Sequence, residues 1–264
     1  MGTGNVFEAF MLTLFAGLAM GIGSIFSFVG KKSNHKFLSA SLGFACGVMI
    51  YVAFIEIFPE ARESLIESFG ETKGQWITLI SFFIGMFFMS FTEKFCLVKH
   101  SEEEEHEDCC HCCDNNSLYR MGIMTAIAIA IHNFPEGIAI FTSVLKDTTL
   151  GSSVAFSIGI HNIAVGIAVS APIYYATGNR KKAFLFAILS GLSEPLGAIL
   201  GYILLRNYMN ETFFGILLSI VAGIMIYISL DELLPSAQRD KNHHVATYSM
   251  IFGMFVMAIS LILI

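Results

Sequence analysis

The segment that decides the fold is Met121–Leu145, MGIMTAIAIAIHNFPEGIAIFTSVL. An α-helix needs about 20 predominantly apolar residues to cross ~30 Å of hydrocarbon, and this segment is longer. It contains no Lys or Arg, and its only acidic residue is Glu136. Polar groups at membrane depth are costly and usually mark an ion or substrate pathway. His132 and Glu136 therefore predict a membrane-spanning helix that carries a buried site.

The composition of the whole chain agrees with this reading. Of its 264 residues only 14% are charged, against roughly a quarter in a soluble domain, and 55% are hydrophobic. The net charge of −6 and the lack of a basic stripe exclude a nucleic-acid partner. A secreted disulfide scaffold is excluded because most of the six cysteines lie in one short run. An integral membrane protein remains.

Seven further segments have the length and apolar character of membrane spans, which predicts an all-α integral membrane protein with one transmembrane domain over residues 1–264. In chain order the eight predicted spans are Val6–Gly30, Phe37–Phe58, Gln75–Phe91, Met121–Leu145, Thr149–Thr177, Ala183–Leu205, Thr212–Leu234 and Val245–Ile264. They are numbered span 1 to span 8 below.

The distribution of Lys and Arg predicts the orientation of the spans. Eleven of the 15 basic residues fall in one set of loops and four in the other. Because cytoplasmic loops carry the excess of positive charge, the first set is placed in the cytoplasm. Both chain termini are then extracytoplasmic, in a multi-pass protein of the cell (plasma or inner) membrane.

Two internal similarities predict inverted repeats. Residues 47–61, GVMIYVAFIEIFPEA, match residues 223–237, GIMIYISLDELLPSA, across spans 2 and 7. Residues 131–137, IHNFPEG, match residues 160–166, IHNIAVG, across spans 4 and 5. Each pair runs in opposite directions through the membrane, as in secondary transporters whose substrate site lies near the midplane.

Spans 4, 5 and 6 each carry polar residues at about the same depth. These residues are His132, Asn133, Glu136, His161, Asn162 and Glu194. His132 and Glu136 are four residues apart and therefore share one face of the helix. The set contains imidazole, carboxylate and amide groups but no fixed cation, so a mobile cation is the expected partner. Imidazole and carboxylate ligands suit Zn²⁺ and neighbouring divalent metals.

A proton relay or a structural histidine pair would also account for these polar residues. A relay through glutamate and histidine would use the same residue types. In a structural pair, His132 and His161 would bond each other in a packed core. The structural pair is the less economical of the two, because two histidines, two asparagines and two glutamates coincide in depth.

Further acidic residues flank this central cluster. Glu56 lies near the outer end of span 2, and Met49 lies two turns before it with a thioether that could bind a soft metal or simply pack. Asp231 and Glu232 lie near the inner end of span 7. Together these groups predict a cation path, although an ordinary helix end would also account for the last two.

Residues 98–118, between spans 3 and 4, form a predicted cytoplasmic loop rich in acidic residues, Cys and His. Its central part reads HSEEEEHEDCCHCC from His100 to Cys113. Thiols stay reduced in the cytoplasm, and together with imidazoles they bind soft metal ions. The spacing matches no rigid zinc motif, so we expect a flexible segment that captures metal; the alternative is a solvated charge run.

Taken together, these features resemble the ZIP (Zrt-, Irt-like) family of divalent metal transporters, and in particular its bacterial ZupT/GufA-like branch. The resemblance spans the chain and rests on the eight spans, the ligand-rich loop, HNFPEG at 132–137, the second HN pair at 161–162 and Glu-Pro at 194–195. It implies transport of Zn²⁺, and of Fe²⁺, Mn²⁺, Co²⁺ or Cd²⁺, into the cytoplasm.

The resemblance also implies a fold and a ligand set. Spans 1–3 would pair with spans 6–8 around spans 4 and 5, with alternating access through a midplane site for one or two ions. The implied metal ligands are His132, Asn133, Glu136, His161, Asn162 and Glu194, with Met49 as a looser match. The chain departs from the family at Ala164-Val165, where bacterial relatives carry Pro-Glu. The carboxylate that would help to bridge two metals is therefore missing.

Two functions of other classes compete with a transporter. An intramembrane metal-dependent hydrolase could use His132, His161 and Glu136 as ligands and base, and a metal sensor could use the Cys/His loop. We expect a transporter, because neither alternative accounts for the repeats and the flanking carboxylates. The expected partners are divalent metal ions, carried as substrate, and the lipid bilayer. The sequence leaves open whether two copies form a homodimer, and we expect no organic cofactor.

Overall fold

The computed structural model describes residues 5–29, 34–101, 115–205, 210–238 and 243–263. Within these ranges the chain is helical. The α-helices are α1 (Val6–Ser27), α2 (His35–Val52), α3 (Phe58–Phe69), α4 (Glu71–Ser101), α5 (Asn115–Lys146), α6 (Thr148–Thr177), α7 (Arg180–Gly191), α8 (Ser193–Leu205), α9 (Glu211–Ile228), α10 (Leu234–Gln238) and α11 (His243–Leu263).

Eight of the described helical segments are long and apolar enough to cross a membrane, which confirms the predicted all-α membrane fold. In order they are Val6–Ser27, His35–Phe69, Glu71–Thr92, Leu118–Lys146, Gly151–Thr177, Arg180–Leu204, Glu211–Gln238 and His243–Leu263. Two of them differ from expectation, because spans 2 and 7 continue beyond Phe58 and Leu234. The acidic and Cys/His part of the predicted loop 98–118 lies outside the described residues.

Spans 2 and 7 each contain one π-helical turn, Ala53–Ile57 and Ser229–Leu233. In each turn an N–H bonds the carbonyl five residues back, and a proline, Pro59 or Pro235, follows two residues after the turn. Proline cannot donate a hydrogen bond and clashes with the carbonyl four residues earlier, so a wider turn relieves the conflict. The likeness of the two segments thus extends to their backbone; the inverted pairing of spans 1–3 with 6–8 stays a prediction.

Span 6 consists of two consecutive helices with a break at Leu192. Helix α7 ends at Gly191 and α8 begins at Ser193. Pro195 cannot donate to the Gly191 carbonyl, which accounts for a break at this point. By contrast, α5 runs through Pro135 as one helix.

The helices pack as two groups. Spans 1, 4, 5 and 6 form the first group, and spans 2, 3, 7 and 8 form the second. Glycine allows backbone-to-backbone approach within the first group. A Cβ atom on Gly137 would overlap the Glu194 carbonyl, and one on Gly197 would overlap the Phe134 carbonyl. Small residues at such crossings let membrane helices come close, and here they bring spans 4 and 6 together beside Glu136.

Candidate metal site

Three side chains from spans 4 and 5 converge around one carboxylate. His132 and Glu136 are one helical turn apart on α5, and His161 faces them from α6. The Nε2 atom of His132 lies 3.5 Å from Glu136 Oε2, and the Nε2 atom of His161 lies 3.3 Å from Glu136 Oε1. The candidate ligand atoms of the three lie within 4.8 Å of one another. All three residues are 0% exposed.

The asparagine beside each histidine is held by its amide nitrogen. Asn133 Nδ2 donates to the Met20 thioether and to the Ser190 carbonyl, both at 3.2 Å. Asn162 Nδ2 donates to the Ala16 carbonyl at 2.9 Å and to Glu194 Oε1 at 2.5 Å. Only the nitrogen end of an amide can donate, so these partners fix which way each amide points.

The amide oxygens of both asparagines, by contrast, have no hydrogen-bond partner, and neither do several other polar atoms around them. Among the described residues, most of the buried polar atoms without a hydrogen bond belong to this one cluster. They are both ring nitrogens of His132 and His161, both carboxylate oxygens of Glu136, Oδ1 of Asn133 and Asn162, and Oε2 of Glu194. Buried polar atoms are normally paired, so such a concentration of unpaired nitrogen and oxygen atoms is typical of a site that binds a cation.

The electrostatics of the cluster favour a cation. It contains two carboxylates, and no Lys or Arg belongs to the buried residues of the described ranges. An unpaired buried carboxylate is strongly disfavoured unless a positive partner accompanies it. Two imidazole nitrogens, carboxylate oxygens and amide oxygens form a donor set that suits Zn²⁺ and related divalent ions. The residues present therefore fit a dehydrated divalent metal ion.

The flanking carboxylates of spans 2 and 7 bond hydroxyl groups on spans 4 and 5. Glu56 Oε2 accepts from Ser157 at 2.5 Å, and Glu232 Oε2 accepts from Thr125 at 2.9 Å. Glu56 and Glu232 occupy matching positions of the two similar segments, each inside its π turn. Asp231 was grouped with Glu232 in the sequence, but it is exposed.

Two other predicted positions lie in the core. Met49 is 0% exposed and belongs to the main apolar cluster, where its role as a ligand stays a prediction. Val165, where the family resemblance led us to expect a carboxylate, is also 0% exposed and in the same cluster. It lies one turn from His161 on α6 and therefore on the same helix face.

Sequence reasoning missed three residues that touch these groups. Ser157 and Thr125 bond the flanking carboxylates, and Met20 contacts Asn133. The hydroxyl residues gave no signal, because serine and threonine are common in membrane helices. Met20 did give a signal, because it is the only large side chain among the buried residues of α1, which are otherwise small.

Comparison with known proteins gives full-length matches. The family described as "ZIP Zinc transporter" matches residues 4–121 and 97–261. A protein named zinc transporter ZupT from Clostridium perfringens is 55% identical, over 98% of this chain and 96% of its own length. Proteins of the same name from Chlorobium chlorochromatii and Streptococcus mutans are 53% and 52% identical, covering 99% and 98% of both chains.

Proposed function

The chain belongs to the ZIP zinc transporter family, and on that premise we propose that it carries Zn²⁺, and with it Fe²⁺, Mn²⁺, Co²⁺ or Cd²⁺, into the cytoplasm. It is a multi-pass membrane protein of a divalent metal transporter family and not an enzyme. The metal, the direction and the route below are the proposal.

The observation that carries the proposal is the fully buried group of His132, Glu136 and His161. Their ligand atoms lie within 4.8 Å of one another and are without hydrogen bonds. An ion placed among them would satisfy two imidazole nitrogens and neutralise a carboxylate. We assign the tightly held metal to these three residues.

A second ion would have only weaker ligands. The remaining oxygens are Asn133 Oδ1, Asn162 Oδ1 and Glu194 Oε2. Two dications a few ångströms apart repel strongly unless carboxylates bridge them. Val165 supplies no carboxylate, and one oxygen of Glu194 already accepts from Asn162. Glu136 is therefore the only carboxylate of the cluster with both oxygens free to bridge two ions. We therefore assign one tight site and one weak site to this chain.

The path to and from the cluster runs past the two π turns. From the distribution of Lys and Arg, Glu56 faces the outer side and Glu232 the inner side. Ser157 lies one turn from His161 on α6, and Thr125 lies two turns from His132 on α5, so each hydroxyl shares a helix face with a metal ligand. An arriving cation would take the place of the hydroxyl at each carboxylate.

The proposed alternating access is supported by the way these contacts connect the helix groups. The central ligands all belong to spans 4, 5 and 6, whereas Glu56 and Glu232 belong to the second group. The two carboxylate–hydroxyl bonds therefore join the groups on either side of the cluster. In the proposed cycle, the site opens to one side when the bond on that side breaks, and it is closed to both when both are made.

Metal uptake into proteoliposomes tests the transporter proposal. Purified protein should load vesicles with Zn²⁺ down a gradient, whereas the Glu136→Gln variant should load them at the rate of protein-free vesicles. A sensor would bind metal without transport. Binding by the parent protein with no uptake in either direction would overturn the proposal.

A further inference from the structure

We propose that Met20 on span 1 is a positioning residue of the metal site: its thioether orients Asn133 so that the amide oxygen stays available to the second, weakly held ion. This inference rests on the proposed function, since it assumes that metal binds among the orphaned oxygens. It concerns a helix that contributes none of the predicted ligands.

Met20 stands out on its own helix. The buried residues of α1 are Ala9, Thr13, Ala16, Gly17, Ala19, Met20, Gly21, Gly23, Ser24 and Ser27. A face of small residues permits close helix packing, so one long side chain on it needs a reason. Met20 is 0% exposed.

The surroundings of Met20 are shaped to receive it. A Cβ atom on Gly191 would lie 3.2 Å from the Met20 sulfur, and one on Gly166 would overlap the Met20 carbonyl. Spans 5 and 6 therefore approach Met20 through glycine. Methionine is otherwise a flexible side chain, and such close neighbours restrict where its sulfur can go.

The thioether completes the pairing of Asn133. The amide of Asn133 has two N–H bonds, and it has two acceptors, the Met20 sulfur and the Ser190 carbonyl. With both acceptors in place the amide cannot turn over, because its oxygen would then meet another acceptor in place of a donor. The result is that Oδ1 stays free. Partners that orient a ligand in this way commonly change metal affinity or activity by about 10–100-fold when they are removed.

Asn162 provides an internal comparison. Its amide is held by the Ala16 carbonyl and by Glu194, not by a side chain of span 1. Substitution of Met20 should thus disturb one of the two asparagines and leave the other in place.

The test is a double-mutant cycle for Zn²⁺ uptake by the full chain in proteoliposomes. Met20→Leu keeps the volume but removes the acceptor, and we expect a roughly tenfold lower initial rate at subsaturating metal, with a raised KM. In the Asn133→Ala background the same change should have little further effect. In the Asn162→Ala background the two losses should multiply.

Two control variants separate positioning from packing. Met257→Leu makes the same change at another fully buried methionine, on span 8, and should leave uptake unchanged. Met20→Gln returns an acceptor of similar length and should recover part of the uptake lost in Met20→Leu. That comparison decides the matter if Asn133→Ala is itself inactive.

The outcomes distinguish this inference from the proposed function. If His132→Ala transports like the parent protein, the central site itself is wrong. If His132→Ala is inactive but Met20→Leu matches Met257→Leu, only the role of Met20 fails. That role also fails if the Met20→Leu loss is undiminished without Asn133, or if Met20→Gln transports no better than Met20→Leu.

Discussion

The two helix groups differ in the kind of polar residue that they bury. In the described part of spans 2, 3, 7 and 8 the buried polar residues are all serines and threonines, and several of them bond backbone carbonyls. Thr78 donates to the Gly74 carbonyl at 2.8 Å, Ser229 to the Met225 carbonyl at 2.8 Å, and Ser64 to the Glu211 carbonyl at 3.0 Å. Such bonds use the hydroxyl hydrogens on backbone carbonyls, and no carboxylate, imidazole or amide is buried in the described part of this group.

Spans 4, 5 and 6 instead bury imidazoles, carboxylates and amides whose acceptor atoms are left over. Each unsatisfied buried group costs about 1–3 kcal/mol, and more when it is charged. The difference teaches that burial of a polar residue does not by itself mark a site in a membrane protein. What indicates a site is a buried side chain with one end held by hydrogen bonds and the other end left with an acceptor atom that has no hydrogen bond.

The strongest way to break this comparison is to remove a central ligand. His132→Ala and Glu136→Ala should each lower Zn²⁺ uptake by more than about tenfold, because one ligand bond is lost from a tight site. Thr78→Val, a buried change in the other group, should leave uptake near the parent rate. Both sets are to be measured in proteoliposomes at equal protein incorporation. Normal uptake by both ligand variants would contradict the proposed central metal site.

The flanking carboxylates should show a smaller effect. Glu232→Gln should lower the rate of uptake by roughly three- to tenfold, because it removes one negative charge from the proposed path and leaves the central ligands unchanged. Its neighbour Asp231 is exposed, so Asp231→Asn is the matched control and should change little. Equal losses in the two variants, measured as initial rates, would mean that bulk negative charge matters and the position does not.

Val165→Glu should sharpen the comparison by adding the missing carboxylate to the first group. The second ion should bind at least roughly tenfold tighter, about 1.4 kcal/mol, and the ratio of Zn²⁺ to Mn²⁺ transport should change. The metal-free protein should lose thermal stability, because a further carboxylate is then buried. Calorimetric titration with Zn²⁺ measures the first effect, with Val165→Gln as an uncharged control. Two equally tight central sites in the parent chain would contradict the one-site assignment.

The smallest effect on transport is expected from the loop. Deletion of residues 102–113 should lower the number of metal ions bound per protein but leave uptake within about threefold of the parent rate. The reason is that a segment beyond the spans can capture metal without forming the path. Metal content of the purified protein and vesicle uptake measure the two quantities. Complete loss of uptake by a stably inserted deletion variant would place the loop in the path.

The sequence alone predicted the number of spans and the residues of the central cluster. A segment such as Met121–Leu145 crosses a membrane because of its own length and apolar character, which do not depend on its neighbours. The facing of His132 and Glu136 is likewise a local property of four-residue spacing in a helix. The similar segments at 47–61 and 223–237 were also visible, and they turned out to share a π turn.

The tertiary structure decided what those residues contact. The local sequence does not predict that Met20 on span 1 would hold Asn133. It also does not predict that Glu56 and Glu232 would bond Ser157 and Thr125. These pairings depend on which helices come close and at what depth. Around Met20 the close approach is made by Gly166 and Gly191 on two other spans. Insertion into the bilayer is determined span by span through transfer from water. The direction of an amide or carboxylate is determined only when another helix supplies the partner for one of its ends.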